Sequence, residues 1–378
     1  MLESYQVEHN SQNIYFRSIV GAAEAGSRMR LGLQLRTGEP VRQVLLRLWQ
    51  DQAGEQLVTL VSHDANAAQR FYTAWIELPD HGCLLWYYFI ITMESGTYFY
   101  GNNAEMLGGV GALYREQPPS YQVTIYNRGA HTPDWFKNSV MYQIFPDRFA
   151  RAGDTIVRKK GAVIRTDWTD DPMYLKDPDT KEIIAYDFFG GNLRGVMEKL
   201  DYLEKLGISC IYFNPVFESE SNHHYDTGDY HRIDPMLGDI EDFRRLVAAA
   251  RERGIRIIMD LVYNHSSDQH PWFLKSRSSR TNEKSDWYIW RDPKEDGSAP
   301  TNWRGIFGGS AWTYCPERGQ YYLHTFAEAQ PDLNWENPEV RAALYRAANF
   351  WLDKGVGGFR IDAITYIKKP AVFADGTP

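Results

Sequence analysis

What is scarce in this sequence narrows its chemistry first. Cysteine occurs three times in 378 residues, at Cys83, Cys210 and Cys315. Three thiols, far apart and in no metal-ligand spacing, argue against a disulfide framework or a zinc cluster and point to a reducing compartment. Long basic runs are missing too, and the formal net charge is -8. That argues against nucleic acid and against an anionic membrane surface as the main partner. The first residues, Met1-Leu2-Glu3-Ser4-Tyr5, lack the basic and apolar segments of a signal peptide. The longest apolar run, Cys83 to Thr92, is too short to cross a bilayer and is rich in tyrosine. A cytoplasmic location is the expectation.

What is present is ordinary for a globular chain, with 43% apolar and 24% charged residues. At ~100–200 residues per domain, two or three domains are expected. Aromatics are plentiful, with 12 Trp, 24 Tyr and 18 Phe. Most belong in cores, but the surplus is what a protein that stacks on sugars would carry.

Residues 1–128 read as all-β, without an amphipathic helix. Met29, Leu31, Leu33 and Leu35 alternate with polar or small neighbours, as do Tyr121, Val123 and Ile125. Val44–Trp49, Phe71–Leu78 and Leu84–Thr92 are further β-branched or aromatic runs, separated by turns at Asp51–Gly54 and Pro79–Gly82. Strands at this spacing predict a β-sandwich. Such a domain is either a carbohydrate-binding or dimerising module or a scaffold covering one side of its neighbour. Asn127–Pro133 reads as the linker.

The rhythm then changes to strand, helix, strand. Val140–Phe145 reads as a continuous apolar strand, followed by a polar loop from Arg151 to Tyr186. Asn192 caps a helix carrying Leu193, Val196, Leu200 and Leu203 that stops at Gly207. Ile208–Phe213 is the second strand. Asp239 caps the next helix, with Phe243, Leu246, Val247 and Ala250 as its core stripe. Ile255–Val262 is the third strand. Asn337-Pro338 opens a third helix whose face includes Leu344, Ala347 and Trp351. Gly355–Ile364 is the fourth strand. Four buried strands joined by helical crossovers predict a parallel α/β sheet. Residues 129–265 and 337–378 belong to it. Residues 266–336, with Trp272, Trp287, Trp290, Trp303 and Trp312, are too many for a loop and read as an inserted subdomain over the strand ends.

The fourth strand holds two charges, Arg360 and Asp362, which at i and i+2 leave the same face. They form either a structural ion pair or a carboxylate kept ionised and aimed for nucleophilic attack. On the third strand, Asp260, Val262 and Asn264 share a face, and His265 stands where the loop begins. Polar groups converging on the carboxyl end of a parallel sheet mark the usual place for a site.

With these residues in view, the chain resembles the α-amylase family, glycoside hydrolase family 13. Asp260-x-Val262-x-Asn264-His265 and Gly358-Phe359-Arg360-x-Asp362-Ala363 match two of its signatures. Gln330-Pro331-Asp332-Leu333-Asn334 matches a third, in the form of the oligo-1,6-glucosidase branch. Ser221-Asn222-His223-His224-Tyr225-Asp226-Thr227 is similar instead to the neopullulanase and cyclomaltodextrinase branch, as is the leading β-domain.

The resemblance implies the first half, four strands, of an eight-stranded (β/α)8 barrel. It implies retaining hydrolysis of α-1,4 or α-1,6 glucosidic bonds in malto-oligosaccharides and in starch- or pullulan-derived glucans. Asp362 would be the nucleophile and Arg360 its holder. His265 and Tyr225 would contact the sugar, with Asp226 grouped among the substrate-binding residues, and Asp260 would brace Arg360. Asn264 would pin the loop or help hold calcium. No cofactor is required for the chemistry. A structural calcium is admitted, although the loop Arg151–Ile156 offers few ligands. A homodimer through the N-terminal domain is admitted too.

Three departures from the family pattern stand out. Ile364-Thr365-Tyr366-Ile367 replaces the Lys-His that often follows the nucleophile. Asn222 stands where exo-acting relatives of the oligo-1,6-glucosidase branch carry an Asp. The general acid and a further Asp come from later strands in the family, whereas this sequence stops at Asp375-Gly376-Thr377-Pro378. The expectation is therefore that the chain is inactive alone. The alternatives are a non-catalytic relative that binds carbohydrate or protein, and a trehalose- or sucrose-rearranging enzyme.

Overall fold

The structure is a computed structural model, and it describes residues 2–66, 69–153, 159, 161–176 and 183–376. The chain divides into two compact units, Met1–Thr132 and Pro133–Pro378. The division falls inside the Asn127–Pro133 stretch read as a linker.

In the first unit two sheets share one apolar core. One sheet has four strands, with Arg28–Arg36 pairing Gln69–Glu77 antiparallel. The other has seven, organised around Cys83–Met93, which pairs Val41–Gln50, Gly96–Gly101 and Tyr121–Tyr126. The period-two pattern explains the packing: Met29, Leu31, Leu33 and Leu35 from one sheet meet Val44, Leu46, Tyr87, Phe89 and Val123 from the other. His9 is buried there. Its Nδ1 donates to Gly32 O at 2.7 Å and its Nε2 accepts from Tyr87 OH at 2.9 Å. Burial pushes its pKa down to about 3, so the ring is neutral at ordinary pH.

The second unit is built on a parallel sheet in the order Met141–Ile144, Cys210–Phe213, Arg256–Val262, Gly358–Asp362. The helices begin where the sequence places their caps. The side chains of Asn192, Asp239 and Asn337 accept from the backbone N–H of Gly195, Asp242 and Glu339. The first expected helix is two, Leu193–Glu198 and Leu200–Lys205, separated at Lys199. Leu193, Val196, Leu203, Phe243, Leu246, Leu344 and Trp351 all enter the core beneath the sheet strands. Gly195 sits so close to the chain that a Cβ there would lie 2.1 Å from Ala150 O. This close approach joins the first helix to the loop after the first strand.

Two expectations are corrected. The four strands are not equally buried: Cys210–Phe213 and Arg256–Val262 are enclosed, while Met141–Ile144 and Gly358–Asp362 are largely half-buried or exposed. The reason is position, since among the described residues each of the outer two pairs with only one neighbour. The stretch Arg151–Tyr186 is not simply a polar loop. It contributes Ala162–Ile164 and Tyr174–Lys176, which flank Ile183–Phe188 in a three-stranded sheet. Strands of three to six residues are too short to show a hydrophobic period within a polar stretch of sequence.

Within residues 266–336 lie a helix, Pro271–Arg277, and a three-stranded sheet of Trp290–Arg291, Gln320–Leu323 and Trp312–Cys315. Trp303 and Trp312 form a small core there with Ile289, Ala311 and Leu323. The returning chain is tied to the end of the third parallel strand, where Leu333 N donates to Asn264 O and Ser266 N to Pro331 O.

Candidate active site

The site grows from the pairing of the third and fourth parallel strands, whose register sets Asp260 beside Arg360 and Val262 beside Asp362. Arg360 Nη1 donates to Asp362 Oδ1 at 2.5 Å and to both oxygens of Asp260, at 3.2 and 3.1 Å. One guanidinium therefore spans a fully buried carboxylate and a partly exposed one. Burial works against the charge on Arg360, but Asp260 and Asp362 outweigh it and raise its pKa. Asp260 is the deeper member. Burial pushes its pKa up, opposed by hydrogen bonds from Tyr212, Arg360 and Tyr225.

Asp260 Oδ2 also organises two phenols. Tyr212 OH donates to it at 2.5 Å and Tyr225 OH at 3.0 Å. Burial, reinforced by Asp260, lifts the Tyr212 pKa to about 12, so its proton stays in place. Tyr225 is thus pinned at its hydroxyl end. Its backbone end is set by His224, which has φ 61°, and Asp362 is followed by Ala363 at φ 49°. Among the described residues, three non-glycine positions have positive φ, and two of them adjoin Tyr225 and Asp362. Non-glycine residues in that region cost of order 1–3 kcal/mol each and persist where surrounding contacts over-determine them.

His265 is buried beside this pair. Its Nε2 lies 3.0 Å from Tyr225 O and 3.1 Å from the Gln330 amide nitrogen, and its Nδ1 lies 3.2 Å from Asn264 Nδ2. Burial lowers its pKa and favours the neutral ring. Asn264 is fully engaged: Nδ2 also donates to Asp332 Oδ1 at 3.2 Å, and Oδ1 accepts from Lys369 Nζ at 2.9 Å. The same ammonium lies 2.7 Å from Asp332 Oδ2 and 2.5 Å from Tyr366 O. Asp226 uses its oxygens inside its own turn, accepting from the hydroxyls of Ser219 and Ser221 and from Glu220 N.

The residues singled out in the sequence therefore meet in one place. Tyr225, Asp226, His265 and Asp362 line a cavity of about 430 Å³, with Arg360 and Asp260 bonded behind Asp362 and Tyr225. Ligand pockets usually have about 300–1,000 Å³ and a mostly apolar lining with a few polar groups. A second cleft of about 510 Å³, lined by Arg194, His231 and Phe350 among others, contains none of them.

Several lining residues were missed by the reading of the sequence. Gln330, the first residue of the third signature, is one of them, and its Nε2 donates to Tyr225 O at 3.0 Å. Phe326 is tilted against His265, lies edge-on to Tyr366 and stands next to Phe307. Tyr186 enters from the three-stranded sheet. Aromatics in loops and in such a short strand carry no periodic signal, so only the folded chain brings them together. Asn222 is buried, and its amide donates to Asp187 O at 3.0 Å. Of the loop considered for calcium, Asp154, Thr155 and Ile156 lie outside the described residues. Among the described residues no group of three or more His, Cys, Asp or Glu side chains is placed to hold a metal.

A parallel sheet with an acid–arginine–acid relay at its carboxyl edge, opening into an aromatic cavity, has the makings of a sugar-processing domain. The α-amylase catalytic domain matches residues 143–377. This chain belongs to the α-amylase family. An oligo-1,6-glucosidase of Heyndrickxia coagulans is 45% identical over 244 residues, covering 64% of this chain and 38% of that protein. The trehalose-6-phosphate hydrolase of Bacillus licheniformis aligns with a TM-score of 0.52 and 39% identity, covering 65% of this chain and 38% of the other. The trehalulose synthase of Pseudomonas mesoacidophila aligns with a TM-score of 0.51 and 40% identity over the same shares. The chain thus spans little more than a third of the length of these relatives. Among the described residues, no helix is long and apolar enough to cross a membrane.

Proposed function

We propose that this chain supplies the nucleophile side of a retaining α-glucosidase site acting on short α-linked glucosides. The observation that carries the reading is Arg360 Nη1, 2.5 Å from Asp362 Oδ1 and anchored at the same time on buried Asp260. A guanidinium in that position holds one Asp362 oxygen and leaves the other for attack on an anomeric carbon. Tyr225, held at both ends, gives the reacting sugar a flat apolar wall, and His265 fixes that wall from behind. Asp226 shapes the turn that carries Tyr225.

Retaining hydrolysis needs a second carboxyl group to protonate the leaving oxygen. Among the described residues lining the cavity, the carboxylates are Asp226 and Asp362, and Asp226 is engaged by Ser219, Ser221 and Glu220. The acid is therefore assigned to none of them, and residues 1–378 alone are expected to bind glucosides without turning them over. Calcium at Asn264 is not part of this reading. Its side-chain oxygen and Asp332 already face the Lys369 ammonium, which fills the place of a cation.

The test is trapping in the protein as isolated from its source. A 2-deoxy-2-fluoro glucosyl donor with a good leaving group should add one glucosyl mass to the peptide containing Asp362, and Asp362→Asn should abolish both labelling and hydrolysis of isomaltose and maltose. Labelling of another peptide, or activity kept by Asp362→Asn, would overturn the assignment. Rearrangement of a disaccharide is the second reading, favoured by the likeness to a trehalulose synthase. Isomeric disaccharides in place of free glucose among the products would select it.

A further inference from the structure

Tyr186 lies on the central strand of the three-stranded sheet, between Ala162 and Tyr174 in register. The backbone after it is closely fixed. The Asp187 carboxylate accepts from Arg148 Nη2 at 2.8 Å and from Met173 N at 2.6 Å, and Asp187 O accepts from Asn222 Nδ2 at 3.0 Å. Phe188, on the same pleat face as Tyr186, is buried, whereas Tyr186 is half-buried and lines the cavity. A rigid mount carrying a ring that stays accessible is how a protein presents a contact surface to a ligand.

The ring is placed relative to Tyr225 by a row of aromatics. Tyr186 meets His223 edge-on at 6.0 Å between centroids, and His223 is 6.0 Å from Tyr225. His223 thus contacts both rings, which sets Tyr186 and Tyr225 at separate positions along the cavity wall. We propose that Tyr186 is a specificity-determining residue that stacks on the glucosyl unit next to the one over Tyr225, so that the cavity selects α-linked glucosides of two or more units over single sugars. This rests on the glucosidase reading of the cavity. Losing the apolar face of one stacked ring should weaken affinity by up to about tenfold.

Calorimetric titration of the full chain tests this, with isomaltose and maltose as disaccharides and 1-deoxynojirimycin as a single-ring glucose mimic. Tyr186→Ala should weaken disaccharide binding about five- to tenfold and leave the single-ring mimic unchanged. Tyr186→Phe, which keeps the ring, should stay within about twofold of the parent, while Tyr225→Ala should weaken all three ligands. Equal loss for one-ring and two-ring ligands in Tyr186→Ala would mean a structural role and overturn the inference, as would no loss at all. If Tyr225→Ala weakens binding and Tyr186→Ala does not, the inference fails and the glucosidase reading stands. If the parent chain binds none of the three, the glucosidase reading fails and takes the inference with it.

Discussion

The Lys369 ammonium lies 2.7 Å from the buried Asp332 Oδ2 and 2.9 Å from Asn264 Oδ1, and these contacts tie the segment after the fourth strand to the end of the third. Asp332 also receives the amide of Asn264 and the hydroxyl and N–H of Thr325. Removing the cation leaves a carboxylate in low dielectric without its partner. Lys369→Met should therefore lower unfolding stability by about 3–5 kcal/mol in urea titration. The parent chain should show the same melting temperature with EDTA and with added calcium. A rise on calcium addition would mean that a metal site exists after all.

Arg360→Met should show a pH-dependent defect. Burial already holds the Asp260 pKa above the ordinary carboxylate value, and Arg360 opposes that rise. Without the guanidinium the Asp260 pKa climbs further. A raised carboxyl favours folding below its unfolded pKa and disfavours it as pH rises through the folded value. The stability difference between parent and Arg360→Met should accordingly be larger at pH 7 than at pH 4.5. A difference independent of pH would show that Arg360 acts by packing alone.

Acid sensitivity of the chain as a whole should begin with two histidines. Burial pushes both His9 and His270 down to about 3, and His270 Nδ1 accepts from Trp272 N at the start of its helix. A depressed folded pKa gives stability that is complete above the unfolded value of 6.5 and is lost as pH falls toward 3. At pH 5 each ring should cost about 2 kcal/mol relative to pH 7. Replacing either histidine by Gln should flatten the pH dependence of unfolding between pH 7 and 5. An unchanged slope in both variants would contradict this.

Gly195→Ala tests the close contact between the first helix and the loop after the first strand. A methyl group there would lie 2.1 Å from Ala150 O and 2.7 Å from Arg151 N, both backbone atoms. The substitution should cost about 2 kcal/mol or more, read as a lower melting temperature. Gly38→Ala, where an added Cβ meets nothing within 4 Å, should melt like the parent.

Much of the scaffold was visible in the sequence because its signals are local. Asn192, Asp239 and Asn337 announce helix starts through side-chain chemistry that acts over three residues. Met29 to Leu35 shows its strand because one face meets the core. The pairing of Arg360 with Asp362 follows from strand geometry, and its link to Asp260 needed only the order of the strands. The sheet inside Arg151–Tyr186 was not legible, since short strands lack a repeating apolar face. Tyr186, Phe307 and Phe326 reach the cavity from three separate segments, and no spacing rule joins them. Lys369 escaped notice because a lysine opposite a buried acid looks, in sequence, like any surface lysine.

The left-handed residues His224 and Ala363 give the pocket an adjustment that its chemistry does not share. Each turns the main chain sharply beside a residue that faces the cavity, so the aim of Tyr225 and of Asp362 is set by torsion angles one position away. A change of torsion at either position would shift the Tyr225 ring or the Asp362 carboxylate without replacing the side chain itself. Substitution at 224 or 363 is therefore expected to re-aim these two side chains while leaving both of them in place.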